Sequence, residues 1–143
     1  MTRFLPAALV LALACSDLTG PLRSGTLSLV AIDGAAPPML RWATANCDYT
    51  VTGATLTVGT ADSAELVVNE VYDCSRAGGP VTTGGRAYPG TYTVVGERFT
   101  LTSPTVGGSP IRLTGTVFGN GSVIDVDDDA DYAAGPGVLR LRR

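Results

Sequence analysis

The stretch Gly90-Thr91-Tyr92-Thr93-Val94-Val95-Gly96-Glu97-Arg98-Phe99-Thr100-Leu101-Thr102 decides how this chain folds. With Gly96 and Glu97 as the two central residues of a hairpin, glycine occupies the position where a type II′ turn needs a positive φ, and the register of both strands follows. Val94 then faces Phe99 and Tyr92 faces Leu101, while Thr91 and Thr93 face Thr102 and Thr100. One side of the ladder is apolar and the other is threonine, as expected of an antiparallel pair with one face against a core. A slip of one residue would turn the apolar set to solvent.

Working outward, the same test applies at two further turn signals. Asn120-Gly121 is a type I′ dipeptide that sets Val117 against Ile124 and Gly115 against Val126. Gly53-Ala54, read as a third two-residue turn, sets Val51 against Leu56 and Tyr49 against Val58. The register predicts that Val94, Phe99, Leu101, Leu113, Val117 and Ile124 share one interior, with Thr91, Thr93, Thr100 and Thr102 outside. Leu27 and Leu29 near the start and Leu139 and Leu141 near the end have the alternation of first and last strands. Pairing them would close a barrel and remove both sheet edges.

Composition points the same way. The 143 residues contain no His, Lys or Gln, and glycine (18 residues), threonine and valine are abundant; β-branched residues and glycine-containing turns every eight to twelve residues indicate an all-β domain. No long segment has helical apolar periodicity. The Ala/Gly/Pro-rich segment from Ala77 to Gly85 reads as a loop. The predicted fold is all-β, an antiparallel up-and-down barrel of about eight to ten short strands over residues 25–143. An immunoglobulin-like β-sandwich is the alternative, against which Trp42 precedes both Cys47 and Cys74 instead of lying between them.

The N-terminus carries a targeting pattern. Arg3 supplies a positive charge, Phe4 to Ala14 an apolar run too short to span a bilayer, and Leu11-Ala12-Leu13-Ala14-Cys15 a small-residue cleavage zone ending in cysteine. This stretch resembles the lipobox of bacterial lipoproteins, although Ala12 stands where that pattern favours leucine. The resemblance implies that residues 1–14 are a signal peptide, that Cys15 is lipidated, and that residues 15–24 tether an exported domain on the periplasmic face or cell surface. An ordinary secretory signal with an incidental thiol is the alternative.

If lipid takes Cys15, Cys47 and Cys74 remain as an even pair in an oxidising compartment. Cys47 alternates with Tyr49 and Val51, and Cys74 with Tyr72, Val68 and Leu66, so both sulfurs are expected to point toward the core and to form a disulfide. Closing that loop stabilises the fold by roughly 3–4 kcal/mol on the chain-entropy model. A metal pair or a redox thiol is the alternative, but two cysteines without histidine make a poor zinc site and there is no Cys-x-x-Cys spacing.

The glycine-punctuated strands from Gly90 to Thr102, then Leu113-Thr114-Gly115-Thr116-Val117, then a final Leu-x-Leu strand, resemble small bacterial lipocalin-like envelope lipoproteins. So does the opening Gly25-Thr26-Leu27-Ser28-Leu29 with Asp33-Gly34 and Pro37-Pro38 after it. The resemblance implies an up-and-down barrel rather than an activity. The cysteine pair and the Ala77–Gly85 segment depart from the pattern.

Chemistry-bearing residues are sparse. The net charge is −3 and the sequence pI is near 4.7, with scattered arginines, so no nucleic-acid footprint is expected. Without His or Lys, general base catalysis would fall to carboxylates or tyrosines and a serine nucleophile has no evident partner, so no enzyme and no cofactor are expected. Glu70 shares a face with Leu66, Val68 and Tyr72. If that face is interior, Glu70 is a carboxylate needing an arginine or hydrogen-bond partner, and Glu70, Tyr72 and Trp42 are the candidate ligand-binding residues. The competing reading turns Glu70 to solvent at the barrel mouth or through a bulge, and it is preferred because charged residues are rarely buried unless paired.

The run Asp125, Asp127, Asp128, Asp129 and Asp131 lacks the glycine and glutamate of an EF-hand loop, with Pro136 or Val138 at the twelfth position, so a solvated strand end is expected and no metal. The expected function is a membrane-anchored, non-catalytic lipocalin-like lipoprotein binding a small apolar or amphipathic molecule. The alternative is a packed β-scaffold for protein contacts in the envelope.

Overall fold

A computed structural model describes residues 21–105, 108–128 and 137–143. The expected signal peptide, Cys15 and most of the expected tether lie outside the described residues, as do Asp129, Asp131 and Tyr132. Nine strands are described: β1 (Gly25–Ile32), β2 (Met39–Ala43), β3 (Asp48–Val58), β4 (Ser63–Asp73), β5 (Val81–Val95), β6 (Arg98–Ser103), β7 (Ile111–Phe118), β8 (Val123–Asp128) and β9 (Gly137–Arg142).

All pairings are antiparallel, and eight strands close in the order β1-β9-β8-β7-β6-β5-β4-β3 and back to β1. The fold is therefore the expected barrel and not a sandwich. Closure runs through the expected pair, with Leu29 opposite Leu141 and Ile32 opposite Leu139. β1 divides its length: Gly25–Ser28 pairs with Val58–Thr55 of β3, and Ser28–Ile32 pairs with Arg142–Leu139 of β9. Beyond Ser28 its place beside β3 is taken by β2, which pairs Met39 with Val51 and Ala43 with Asp48.

Two of the three hairpins form as read. Tyr92 opposes Leu101 and Val94 opposes Phe99, with Gly96 at φ 59°. Val117 opposes Ile124 and Gly115 opposes Val126, while Asn120 and Gly121 both have positive φ and Ser122 donates its N–H to the Gly119 carbonyl at 3.1 Å, the geometry of a type I′ turn. The six apolar residues face inward, with Val94 only partly buried, and the four threonines face outward.

The Gly53-Ala54 hairpin does not exist. β3 runs straight through, and its register against β4 shifts between Val51 and Gly53. That shift is a β-bulge, and its extra residue moves the inward parity from Tyr49 and Val51 to Ala54, Leu56 and Val58. A change of parity along one strand looks, in sequence, like two strands folded about a turn. The real turn lies at residues 59–62, where Gly59 donates its N–H to the Ser63 carbonyl at 2.8 Å.

The expected loop from Ala77 to Gly85 is also shorter than read. Asp73 accepts the Ser75 N–H at 2.9 Å, a short 3-10 turn follows at Ser75–Ala77, and β5 begins at Val81, so Gly84 and Gly85 are strand residues opposite Glu70 and Asn69. The Cys47–Cys74 disulfide forms across 27 residues, beside the Asp48–Asp73 pair at the end of the β3–β4 ladder. Its cysteines are half-buried at that tip, not in the core.

At Gly115, as at Gly90, the backbone of the neighbouring strand leaves no room for a side chain. A Cβ there would lie 2.0 Å from the Asp125 carbonyl oxygen, which backbone cannot yield cheaply, and the position faces Phe99 across the ladder. Gly115→Ala is expected to lower stability by about 1–3 kcal/mol. Gly84→Ala, where a Cβ meets nothing within 4 Å, should change it by no more than about 0.5 kcal/mol. Denaturant melts of the two variants check this, and equal costs would contradict the register.

Candidate functional site

The barrel has two unlike ends. At the entry end lie the described start of the chain, the turns at 59–62, 96–97 and 119–122, and Arg142–Arg143. At the other end β6 stops at Ser103 before Pro104, which has no N–H to continue a ladder. β5 therefore pairs with β6 only over Thr91–Val95 but with β4 from Val81 to Thr91. Strands β2 to β5 run on past the closed body as a sheet with an inner face, and the disulfide ties its tip.

The interior of the closed body is filled. Leu27, Ile32, Val51, Leu56, Val68, Phe99, Leu101, Val117, Ile124, Val126 and Leu141 have no accessible surface at all. A space large enough for water would expose the atoms lining it, so these side chains border none.

Above that plug, the inner face changes character. Along β4, Ala64, Leu66 and Val68 are buried and Glu70 follows them inward, only 7 % exposed. Among the facing β5 residues, Arg86 lies opposite Val68 and Tyr88 opposite Leu66. Arg86 Nε donates to Glu70 Oε1, and Arg86 Nη1 donates to the Tyr88 hydroxyl at 2.8 Å. The guanidinium also stands 5.8 Å from the Tyr88 ring centroid. Tyr49, on β3, hydrogen-bonds Glu70 from the other side. Glu70 is thus a buried and partnered carboxylate; the preferred expectation of a solvent-facing Glu70 is corrected by an arginine two positions along from the residue opposite it.

The aromatic rim follows the cross-strand rows. Trp42 pairs with Tyr49 and Tyr49 with Tyr72, whose rings lie 4.7 Å apart at 56°. Tyr72 is 43 % exposed on the open side of the row, while Trp42 packs partly buried against the core. Glu70 and Tyr72 therefore share one network, and Trp42 stands at its β2 border. Arg86 and the strand that carries it are what sequence reading missed. The signal was present as Arg86, Tyr88 and Tyr92 at alternate positions, but it required β5 to begin before Gly84.

A second ion pair, between a buried arginine and an exposed aspartate, closes the gap where β1 leaves β3. Arg41, 7 % exposed, donates to Asp33, whose other oxygen accepts the Val138 N–H at 2.7 Å. The aspartates of β8 do structural work on the outer wall. Asp125 takes two hydrogen bonds from Arg140, at 2.8 and 2.7 Å, and Asp127 accepts the Thr114 hydroxyl at 2.9 Å. Among the described residues no cluster of three metal-ligating side chains occurs.

Compared with known proteins, the chain matches no protein-family model, no curated sequence and no solved structure.

Burial, and then the hydrogen bond to Glu70, hold the Tyr49 hydroxyl well above its ordinary value of 10.0. Above pH 10 the unfolded chain loses this proton while the folded one keeps it, so the unfolded state binds fewer protons and stability falls as pH rises. The melting temperature is expected to decline from about pH 10 upward, and the decline should be shallower in Tyr49→Phe. Absorbance titration of the phenolates against thermal melts checks this; a Tyr49 that ionises with the exposed tyrosines in folded protein would contradict the burial.

Proposed function

We propose that this protein is an exported, membrane-anchored lipoprotein whose non-catalytic, lipocalin-like barrel holds a small amphipathic molecule at its open end. The carrying observation is the Glu70–Arg86 pair, with Tyr49 and Tyr88 on its flanks, on the inner face of strands that outrun the closed body. A charged pair taken from water costs several kcal/mol per ion before its attraction is counted, so apolar side chains of the same volume would serve a purely packed wall as well or better. Placed beside the exposed ring of Tyr72, the pair offers a ligand both a polar contact and an apolar surface. Because the barrel body is filled, the ligand sits against the extended sheet and not in a lumen.

The Cys15 pattern supports the anchor. A lipidated Cys15 would hold the protein at the membrane, since two buried acyl chains suffice for stable attachment. The filled interior favours a second reading, in which the barrel is a packed scaffold whose outer surface meets other envelope components.

Two measurements separate these readings. Cys15→Ser is expected to move the protein from the membrane fraction to the soluble envelope fraction or to leave an uncleaved precursor; unchanged detergent-dependent membrane association would reject the anchor. For the site, an amphipathic fluorescent probe should bind the native protein and bind Glu70→Gln at least about tenfold more weakly, the range for losing a charge-assisted hydrogen bond, with the fold retained by circular dichroism. Equal probe affinity in native protein, Glu70→Gln and Tyr72→Ala would leave the scaffold reading.

A further inference from the structure

We infer that the entry end of the barrel is a docking face for an anionic lipid surface, and that it holds the open end and its Glu70 network away from the membrane. The inference rests on the anchor reading above and goes beyond it by fixing which way the domain faces.

Three observations carry it. The first is reach. Six peptide steps separate Cys15 from Pro21, so the chain between them spans at most about 20 Å fully extended. The eight residues of β1 are themselves about 26 Å long. From that point the chain is pinned: Leu22 is 8 % exposed, its N–H is donated to the buried Tyr92 hydroxyl at 2.9 Å, and Arg143 donates to the carbonyls of Arg23, Ser24 and Gly121. A lipid on Cys15 therefore brings the entry end to the bilayer.

The second observation is charge. Arg23, Arg98, Arg142 and Arg143 gather at the entry end, where the acidic side chains among the described residues are Asp62, Glu65 and Glu97. Arg23, Arg98 and Arg142 are exposed and form no ion pair with another described residue. At the open end three of the four arginines are paired, Arg41 with Asp33, Arg76 with Asp48 and Arg86 with Glu70, and Arg112, opposite Thr102, is exposed. The domain is acidic overall, yet most of its exposed arginines without a described ion pair, Arg23, Arg98 and Arg142 against Arg112, lie on the side nearest the anchor. Each arginine near an anionic bilayer contributes about 1 kcal/mol.

The third is the apolar relief of the same end. Val95 is 69 % exposed at the 96–97 turn and Phe118 is 40 % exposed at the 119–122 turn. Phe118 and Val123 floor a shallow groove of about 410 Å³ with Arg140 and Arg142 at its side. An aromatic and an aliphatic side chain among arginines is the chemistry of an interfacial contact, with rings at headgroup depth and guanidiniums on phosphates.

The test uses the mature lipidated chain purified from membranes and reconstituted in vesicles, with the modification at Cys15 confirmed by mass. Trp42 is the single tryptophan of the chain and lies toward the open end. It is compared with Trp42→Phe/Phe118→Trp, which moves the reporter to the entry end. A nitroxide on the lipid headgroup should quench the reporter at 118 and leave Trp42 largely unquenched. In vesicles of equal parts phosphatidylcholine and phosphatidylglycerol, adding Arg98→Gln and Arg142→Gln should lower quenching at 118, and in pure phosphatidylcholine it should not.

Equal quenching at both positions, or stronger quenching of Trp42, in protein whose Cys15 carries lipid would overturn the orientation and leave the anchor reading intact. A mass without lipid would overturn the anchor reading. The face is then judged by sedimentation of the unmodified chain with the same two vesicles. Retention on phosphatidylglycerol that drops about fivefold per substituted arginine supports it, and no retention overturns it.

Discussion

The whole molecule depends on how the first strand spends its two edges. β1 gives its beginning to β3 and its end to β9, overlapping only at Ser28. Backbone groups on either edge would otherwise need water or another chain. With them satisfied, the sheet becomes a closed body, and most of its inward residues, from Leu27 to Leu141, are buried. Burial on this scale is the principal source of stability in a small domain, and it is available only because the last strand returns beside the first. The arrangement also explains the buried Arg41: where β1 leaves β3, a polar side chain fills the divergence and ties to Asp33, which in turn holds Val138 of β9.

The same geometry produces the candidate site. A barrel whose strands all ended together would have no wall beyond its core. Here Pro104 ends β6 early while β3, β4 and β5 continue, and the disulfide at the tip resists fraying of the part that has fewer neighbours. On that extension the inward-facing sequence changes from Leu66 and Val68 to Glu70, and the opposite strand supplies Arg86. A polar network there is partly enclosed by Tyr49 and Tyr88 yet borders the exposed face of Tyr72. In the proposed reading the filled body below is structural and the open sheet above binds, and the clustering of arginines at the entry end gives that division a direction.

Much of this was legible from residues because two-residue turns fix register locally. Gly96-Glu97 and Asn120-Gly121 determine every pair in their ladders, and a period-two pattern assigns faces without further information. Closure by Leu29 and Leu141 was legible for the same reason. The bulge after Val51 was not, since an inserted residue and a turn produce the same parity break, and only the neighbouring strand distinguishes them. β5 was misread at its start because Gly84 and Gly85 carry loop propensity, whereas pairing with all of β4 overrides it. That error hid Arg86, and with it the partner that lets Glu70 turn inward. The Glu70–Arg86 pair, 16 residues apart, and the Asp33–Arg41 pair, 8 apart, depend on strand register and leave no local pattern.

Closure by the first strand is the central claim, and amide hydrogen exchange followed by NMR measures it most directly. Amides in Leu27–Ile32 and Leu139–Leu141 should exchange as slowly as those of Leu101 and Val117, opening only with global unfolding. Fast exchange across all of Leu27–Ile32, with β4 to β8 still protected, would mean an open sheet with a loose first strand and would contradict the account.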